Sequence, residues 1–331
     1  MKTVAFFNNK GGVGTTSLVY HLAWMFSELD YRVVVADFDP QADLSGMFLG
    51  ESGLESLLET KSGKTVDANF ASLFKGTGDI AAQPHIEKIE ERIGLLVGDL
   101  SLSTRAGEFA ECWSKCLDGE ERAFRITTAF ARLVATANDL FAADLVLIDV
   151  GPTLGPLNRA ALIASDHVVI PLATDSFSLR GLCNVGSTLA DWRKAWRKRM
   201  DAKPNNLDFV LPSGNMQPLG YIVRRRVIRL DRPVQALHKW ISKIPKEYRR
   251  AVLQCDASTT PTIDTDEYLL ANLQEYRSLM PLAQEANKPM FMLKPADGAL
   301  GAYMNAVVSC YQDYRSLAQK ISDKLATSND A

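Results

Sequence analysis

The chain is 331 residues long, 47% hydrophobic and 23% charged. That is an ordinary globular composition, large enough for one big domain or two smaller ones without disulfide or metal staples. Its 37 Lys and Arg stand against 39 Asp and Glu, a net charge of −2, which excludes a uniformly basic nucleic-acid binder and leaves any polyanion partner to a local patch.

Thr3–Phe7 is a short apolar run that predicts a strand, and Gly11, Gly12 and Gly14 follow it. The chain enters this strand without the basic–apolar–small pattern of a leader peptide. Leu18, Leu22, Met25, Phe26 and Leu29 recur at helical spacing and predict a helix over 17–29. Arg32–Ala36 is a β-branched run that ends in the acidic Asp37-Phe38-Asp39. Strand, glycine loop, helix and strand make a βαβ unit and imply a parallel sheet.

The pattern weakens between Gly50 and Glu91, which reads as a variable insertion on the same domain. It resumes with strands at Ile93–Val97, Leu145–Ile148 and His167–Leu172, and with helices at Glu121–Leu140, Leu157–Ala164 and Ser178–Met200. Phe209–Leu211 and Leu219–Val223 are further strand candidates. Strands that are apolar throughout suit a sheet covered on both faces. Asn287–Gly301, with two prolines and two glycines, predicts a loop before a last helix over Ala302–Leu325, and 326–331 read as a frayed tail. The expected architecture is a doubly wound, mostly parallel α/β sheet in a single large domain.

No run of about 18 apolar residues is present to span a bilayer. Cys112, Cys116, Cys183, Cys255 and Cys310 are odd in number and irregular in spacing. They read as free thiols of a reducing cytoplasm rather than as a disulfide or zinc set. The four histidines form no ligand or triad pattern, and Trp192 and Trp196 sit at core-like helical spacing.

The informative stretch is Asn8-Asn9-Lys10-Gly11-Gly12-Val13-Gly14-Thr15-Thr16-Ser17. A phosphate-binding loop works through backbone N–H groups of a glycine-rich turn and the positive end of the following helix. Against the strict pattern of such loops, Asn9 stands at the first glycine and Thr15 at the lysine. Two further motifs support an anion site: Asp37-Phe38-Asp39-Pro40-Gln41 at the end of the second strand, and Asp149 at the end of an apolar strand. Acids at the C-terminal ends of parallel strands, beside a helix N-terminus, suit Mg²⁺ and an oriented water.

On these motifs, with Leu145–Gly155 as the Walker B strand and Val168–Leu182 as a later strand and loop, the sequence resembles the ParA/MinD group of deviant Walker A P-loop ATPases. Within that group it is most similar to the ParA-like partition proteins, from Lys2 to about Met200. The resemblance implies ATP/ADP and Mg²⁺ as cofactors and an ATP-sandwiched homodimer. Lys10 matches the signature lysine that reaches the partner subunit's nucleotide, and Asp39 the acid that positions the attacking water. Gly11, Gly12, Val13 and Gly14, followed by Thr15, Thr16 and Ser17, match the phosphate cradle. Thr16, Asp39 and Asp149 match groups around the metal, and Asp37, Pro40, Gln41 and Gly151 match switch positions.

Thr15 departs from the family, which carries a second lysine there. Its loss removes a charged hydrogen bond worth about 1.5–3 kcal/mol, a roughly ten- to more than hundredfold loss of affinity, with a larger penalty expected on hydrolysis. Three explanations stay open: a substitution made to disable turnover, a naturally weak or inactive ATPase, or sufficiency of the partner's signature lysine.

The resemblance also implies non-specific DNA as a partner, gated by ATP, together with a ParB-like or cargo-adaptor protein, and so nucleoid association in the cytoplasm. Membrane recruitment, the rival within the fold, would need a basic amphipathic tail, and the C-terminal helix has mixed charge and reads as a core helix, so no membrane partner is expected. From Tyr221 to Arg250 the chain carries seven Arg and three Lys against Asp231 and Glu247, a local net of +8. The DNA candidates are Arg224, Arg225, Arg226, Arg229, Lys243, Lys246, Arg249 and Arg250, with Arg224 or Arg225 a candidate for nucleotide instead. A second cluster is Arg193, Lys194, Arg197, Lys198 and Arg199. The rival readings are a Min-like positioning ATPase, a non-hydrolysing scaffold, and a relative that couples ATP to small-molecule chemistry.

Overall fold

In the computed structural model, residues 2–59, 63–225, 240–256 and 261–327 are described. Eight strands form one sheet in the order β3-β4-β2-β5-β1-β6-β7-β8. They are β1 (Thr3–Phe6), β2 (Val33–Asp37), β3 (Glu87–Glu90), β4 (Ile93–Leu96), β5 (Leu145–Asp149), β6 (His167–Ala173), β7 (Gln217–Arg225) and β8 (Leu269–Gln274). Among the described residues only the β3–β4 pair is antiparallel; every other strand pairing is parallel.

The interior strands read as continuous apolar runs because both faces are covered. Alternate residues of β1 serve opposite layers: Ala5 and Phe7 one, Val4 and Phe6 the other. The Val4 face is covered by α1 (Thr15–Glu28) and α11 (Ala302–Thr327), through Leu18, Leu22, Phe26, Val307, Tyr314 and Ile321. The Ala5 face is covered by α3 (Val66–Lys75), α4 (Ala106–Lys115), α5 (Glu121–Thr127), α6 (Ala129–Phe141), α7 (Pro156–Ile163) and α8 (Ser176–Asp201). Trp196 of α8 is fully buried and Trp192 partly so, as their spacing predicts.

The doubly wound expectation holds, with local departures. The helix expected over 121–140 is two helices, parted at Thr128, whose φ of −102° and ψ of 10° leave the helical well. Phe209–Leu211 is not a strand: Val210 is 88% exposed, while the Phe209 ring lies under the guanidinium groups of Arg125 and Arg132. The stretch around 50–91 packs onto the same sheet as the end of α2 (Asp43–Glu59), α3 and the edge strand β3. Two short helices, α9 (Ile244–Glu247) and α10 (Met280–Glu285), come after β7 and β8 in the chain. All five cysteines are free. Among the described residues no helix is long and apolar enough to cross a membrane.

Candidate functional site

The C-terminal ends of β1, β2, β5, β6 and β7 meet at one edge of the sheet, the crevice where open α/β sheets bind ligands. After Phe6 the chain turns through a loop pinned to β6: Asn8 Nδ2 donates to the Pro171 carbonyl at 2.6 Å, and Asn8 Oδ1 accepts from Lys10 N at 3.0 Å. Gly12 and Gly14 take positive φ of 73° and 81°, which glycine adopts without strain. The helix α1 starts at Thr15, two residues earlier than its apolar spacing suggests. No side chain caps it and its first turn holds no acid. Its free N–H groups and positive end therefore suit an anion.

Two carboxylates lie beneath this loop, Asp37 and Asp149, paired in register on adjacent strands and both buried. Asp37 Oδ2 accepts from Ser45 N at 2.8 Å and from Ser45 Oγ at 2.6 Å. Burial nonetheless pushes Asp37 up to about 7. Neither oxygen of Asp149 has a hydrogen-bond partner. Burial, and after it the neighbouring Asp37, hold its carboxyl well above the usual range, with the Thr16 hydroxyl acting in the opposite direction. Two orphaned buried carboxylate oxygens beside a threonine hydroxyl fit a hard cation, which takes oxygen ligands and keeps several waters. Among the described residues no cluster of three or more His, Cys, Asp or Glu makes a self-sufficient metal cage. Such an ion would draw the rest of its ligands from phosphate and water.

Asp39 lies higher in the crevice. Its Oδ1 accepts from Gln41 N at 3.0 Å, closing the turn through Pro40, and partial burial raises its carboxyl above the ordinary value. Gly151 faces it so closely that a Cβ there would stand 3.0 Å from Asp39 Oδ1. The loop after β5 is fixed by Asn158, whose Nδ2 donates to the Gly151 and Thr153 carbonyls.

Lys10 is not free. Its ammonium pairs with Asp175 in the same chain and donates to Ser178 Oγ at 3.3 Å, with 27% of the side chain exposed. Asp175 also caps α8, accepting from Ser178 N at 2.9 Å. Partial burial pushes its carboxyl up, but Lys10 and the Ser178 amide outweigh that and leave it below the usual range. Sequence reasoning missed Asp175; the signal was an Asp three residues ahead of Ser178 at the head of a predicted helix.

Beside the loop opens a cleft of about 820 Å³, within the size range of small-molecule sites. Gly14, Thr16, Ser17, Tyr20 and His21 form one wall, Gln41, Ala42, Met47 and Leu54 a second, and Met280, Ala283 and Lys288 a third. His21, assigned no chemistry from sequence, links α1 to the 290 region. Its Nδ1 donates to the Ser17 carbonyl at 2.7 Å and its Nε2 accepts from Met290 N at 3.1 Å. Burial pushes it down to about 4, so it is neutral at physiological pH.

The basic candidates divide. Arg226 and Arg229 lie outside the described residues. Arg225, Lys243, Lys246 and Arg250 are exposed, although Arg250 pairs with Glu247 at 2.6 Å. Arg249 departs from expectation. It is 9% exposed and forks onto Asp266 at 3.0 and 2.8 Å, and Tyr221 donates to the same carboxylate at 2.6 Å. A guanidinium so used holds the fold and does not present a phosphate-binding face. Arg224 is half-buried, and its Nη1 donates to the Val13 carbonyl at 2.9 Å. In the second cluster Arg199 is buried, donating to the Trp113 carbonyl at 2.6 Å, and Arg193 donates to the Met216 carbonyl at 3.0 Å. Lys194, Arg197 and Lys198 remain exposed.

The AAA_31 family, described as an AAA domain, matches residues 1–202. The chain belongs to that family. It is a ParA-like P-loop ATPase by descent: protein IncC of Escherichia coli is 32% identical over 194 residues, 59% of this chain and 47% of IncC. The cell division protein PomZ of Myxococcus xanthus is 28% identical over 179 residues, 54% of this chain and 48% of PomZ. The chain spans about half the length of these two curated relatives. A solved protein of Corynebacterium diphtheriae superposes with a TM-score of 0.72 at 24% identity, covering 98% of this chain and 99% of the other. A plasmid partition protein of Borrelia burgdorferi bound to AMPPNP superposes at 0.59 with 18% identity, covering 98% and 99%. These two likenesses show that the fold is shared along nearly the whole ParA-like chain.

Proposed function

We propose that the chain binds ATP with Mg²⁺ in the cleft beside α1, dimerises face to face around two nucleotides, and uses that state to hold DNA or a cargo adaptor in partition or positioning. The observation that carries this reading is Asp149: two buried, unpartnered carboxylate oxygens next to Thr16, at the foot of an uncapped helix. Thr16 and Asp149 would hold the metal, Gly11–Ser17 the phosphates, and Asp39 a water. The bound metal supplies charge stabilisation for the phosphates.

Dimerisation around the loop is supported by the apolar rim there. Phe177, in the first turn of α8, is 68% exposed, and Leu154, on the loop that follows β5, is 41% exposed. Lys10 held by Asp175 then describes a resting monomer, and dimerisation exchanges that carboxylate for the partner's nucleotide. The DNA face is read as Arg225, Lys243, Lys246 and Arg250, the exposed remainder of the basic half at 193–250, with the 50–91 stretch as the variable part of the same domain. The ParB-like or adaptor partner and nucleoid association follow from this reading. Thr15 slows hydrolysis.

The test is light scattering and DNA retention on the full chain. With ATP and Mg²⁺ the chain is expected to dimerise and to hold non-specific DNA, a binding that collapses between about 50 and 200 mM salt. Thr15→Lys is expected to raise turnover about tenfold or more. Absence of any heat from ATP and Mg²⁺ at millimolar concentration, in both the wild type and Thr15→Lys, overturns the reading.

A further inference from the structure

A loop that lacks its lysine at position 15 still has to balance the charge of a triphosphate, and the fold brings a second cation to it. We infer that Arg224, at the end of β7, is a phosphate-binding residue of the nucleotide site and supplies the charge that Thr15 withholds. The inference rests on the nucleotide reading above and goes beyond it by naming the group that compensates.

Placement is the first support. Strand β7 runs parallel to β6, which runs parallel to β1, so its C-terminal end falls at the same edge as the loop. Arg224 Nη1 donates to the Val13 carbonyl at 2.9 Å. The guanidinium lies where a side chain on Gly14 would lie: a Cβ there would stand 1.2 Å from Nη1 and 2.4 Å from Cζ. Gly14 is thus demanded twice, by its φ of 81° and by the arginine packed on its α-carbon. The cation sits on the residue immediately before Thr15.

Availability is the second. A guanidinium carries five N–H donors, and the Val13 carbonyl uses one. Among the described residues no carboxylate pairs with Arg224, whereas Arg249 is bound to Asp266 and Lys10 to Asp175. The titratable groups beside it do not neutralise it either. His21 is neutral through burial, and Tyr314, stacked on His21 with ring centroids 5.0 Å apart, is held protonated by burial. A half-buried guanidinium with four donors left over and no carboxylate partner among the described residues, packed on an anion-binding loop, is placed to complete its hydrogen bonds on an anion.

The experiment is titration calorimetry of the full chain with ATP, ADP and AMP in Mg²⁺. Wild type, Arg224→Gln, Arg224→Lys and Thr15→Lys/Arg224→Gln are compared, each checked by thermal melting. Arg224→Gln keeps a donor for Val13 and removes the charge. It is expected to weaken ATP and ADP about ten- to hundredfold, the worth of one charged hydrogen bond, and AMP by less than about threefold. Thr15→Lys in that background is expected to restore ATP affinity. Should Arg224→Gln fail to fold, Arg224→Lys, which keeps the charge on a shorter reach, carries the same test through its ATP-to-AMP affinity ratio, expected to stay within about threefold of wild type. Equal losses for ATP and AMP put the guanidinium on the base or in the fold and overturn the assignment, as does an unchanged ATP affinity in Arg224→Gln. Wild type that binds no nucleotide overturns the cleft reading itself, a result distinct from wild type that binds while Arg224→Gln binds equally.

Discussion

Asp37 and Asp149 stand side by side at the C-terminal ends of β2 and β5, in register and equally buried, yet their oxygens are used differently. Asp37 is tied to the first turn of α2 by two donors from Ser45, and that hydroxyl in turn accepts from Gly98 N at 2.9 Å. Neither oxygen of Asp149 has such a partner, and only the Thr16 hydroxyl and the Val150 amide ease its charge, whereas in Asp37 the second oxygen alone, Oδ1, is left over. Burial of an unpartnered carboxyl costs stability and persists in folds when something other than the fold uses the group. The pair therefore separates a structural acid, which carries the position of Asp39 and its turn, from an acid held ready for a cation.

The largest effect that would break this contrast is on metal-dependent binding. Asp149→Asn is expected to lower Mg²⁺-dependent ATP affinity about 10- to 100-fold or more, since it deletes a charged oxygen at the metal itself. The nucleotide-free chain should melt no lower than wild type, because the substitution removes the burial cost of the charge and the repulsion from Asp37 while the amide oxygen can still accept from the Thr16 hydroxyl. Calorimetry with and without EDTA, alongside a thermal melt, checks both halves. A destabilised Asp149→Asn chain with unaltered Mg²⁺ dependence reverses the assignment of roles.

The second effect is on pH. Asp37 is raised from the ordinary value to about 7, and Asp149 is also raised. For an acid raised on folding, the folded chain binds more protons than the unfolded one between the two values. Stability therefore falls as pH rises from about 4 to 7, by up to about 1.4 kcal/mol per pH unit for each group that titrates. Denaturant melts of the nucleotide-free chain should show this decline, Asp149→Asn should make it shallower, and ATP with Mg²⁺ should flatten it further. Stability that rises over that window would show that Asp37 and Asp149 keep ordinary carboxylate behaviour.

Legibility in the sequence followed the same divide between local and distant causes. The first βαβ unit, the loop glycines and the acids at strand ends were readable because each is written within a few residues: buried parallel strands as apolar runs, and Gly14 as a left-handed turn. The half-exposed β3, Glu-Lys-Ile-Glu, offers no apolar run. The helix α2 contains Gly46, Gly50 and Gly53 and bends at Gly50, where φ is 70° and ψ 164°; its intrinsic propensity is poor and packing against α1 decides it. The charge run at 221–250 could not show which cations face water. Arg249 is buried on Asp266, and Arg224 is held half-buried by a carbonyl 211 residues earlier in the chain. Ser45 likewise carries no motif, and its role exists only because α2 returns its first turn to the end of β2.

That serine offers the smallest and sharpest test of the pair. Ser45→Ala removes the hydroxyl that bridges Asp37 Oδ2 and Gly98 N, leaving the amide of residue 45 as the donor to Asp37 and the Gly98 N–H without its partner. A lost buried hydrogen bond with a stranded donor costs about 1–2 kcal/mol, so a modest drop in the denaturation midpoint is expected with the slope unchanged. With one fewer donor the Asp37 carboxyl should move further up, because the Ser45 hydroxyl is the foremost group opposing its burial. The decline of stability with pH should then extend above pH 7 in Ser45→Ala. ATP affinity in Mg²⁺ should fall far less than in Asp149→Asn, since the residue touches neither the loop nor Asp149. A loss of Mg²⁺-dependent binding as deep as that of Asp149→Asn would mean that the two acids act as one site and not as frame and ligand.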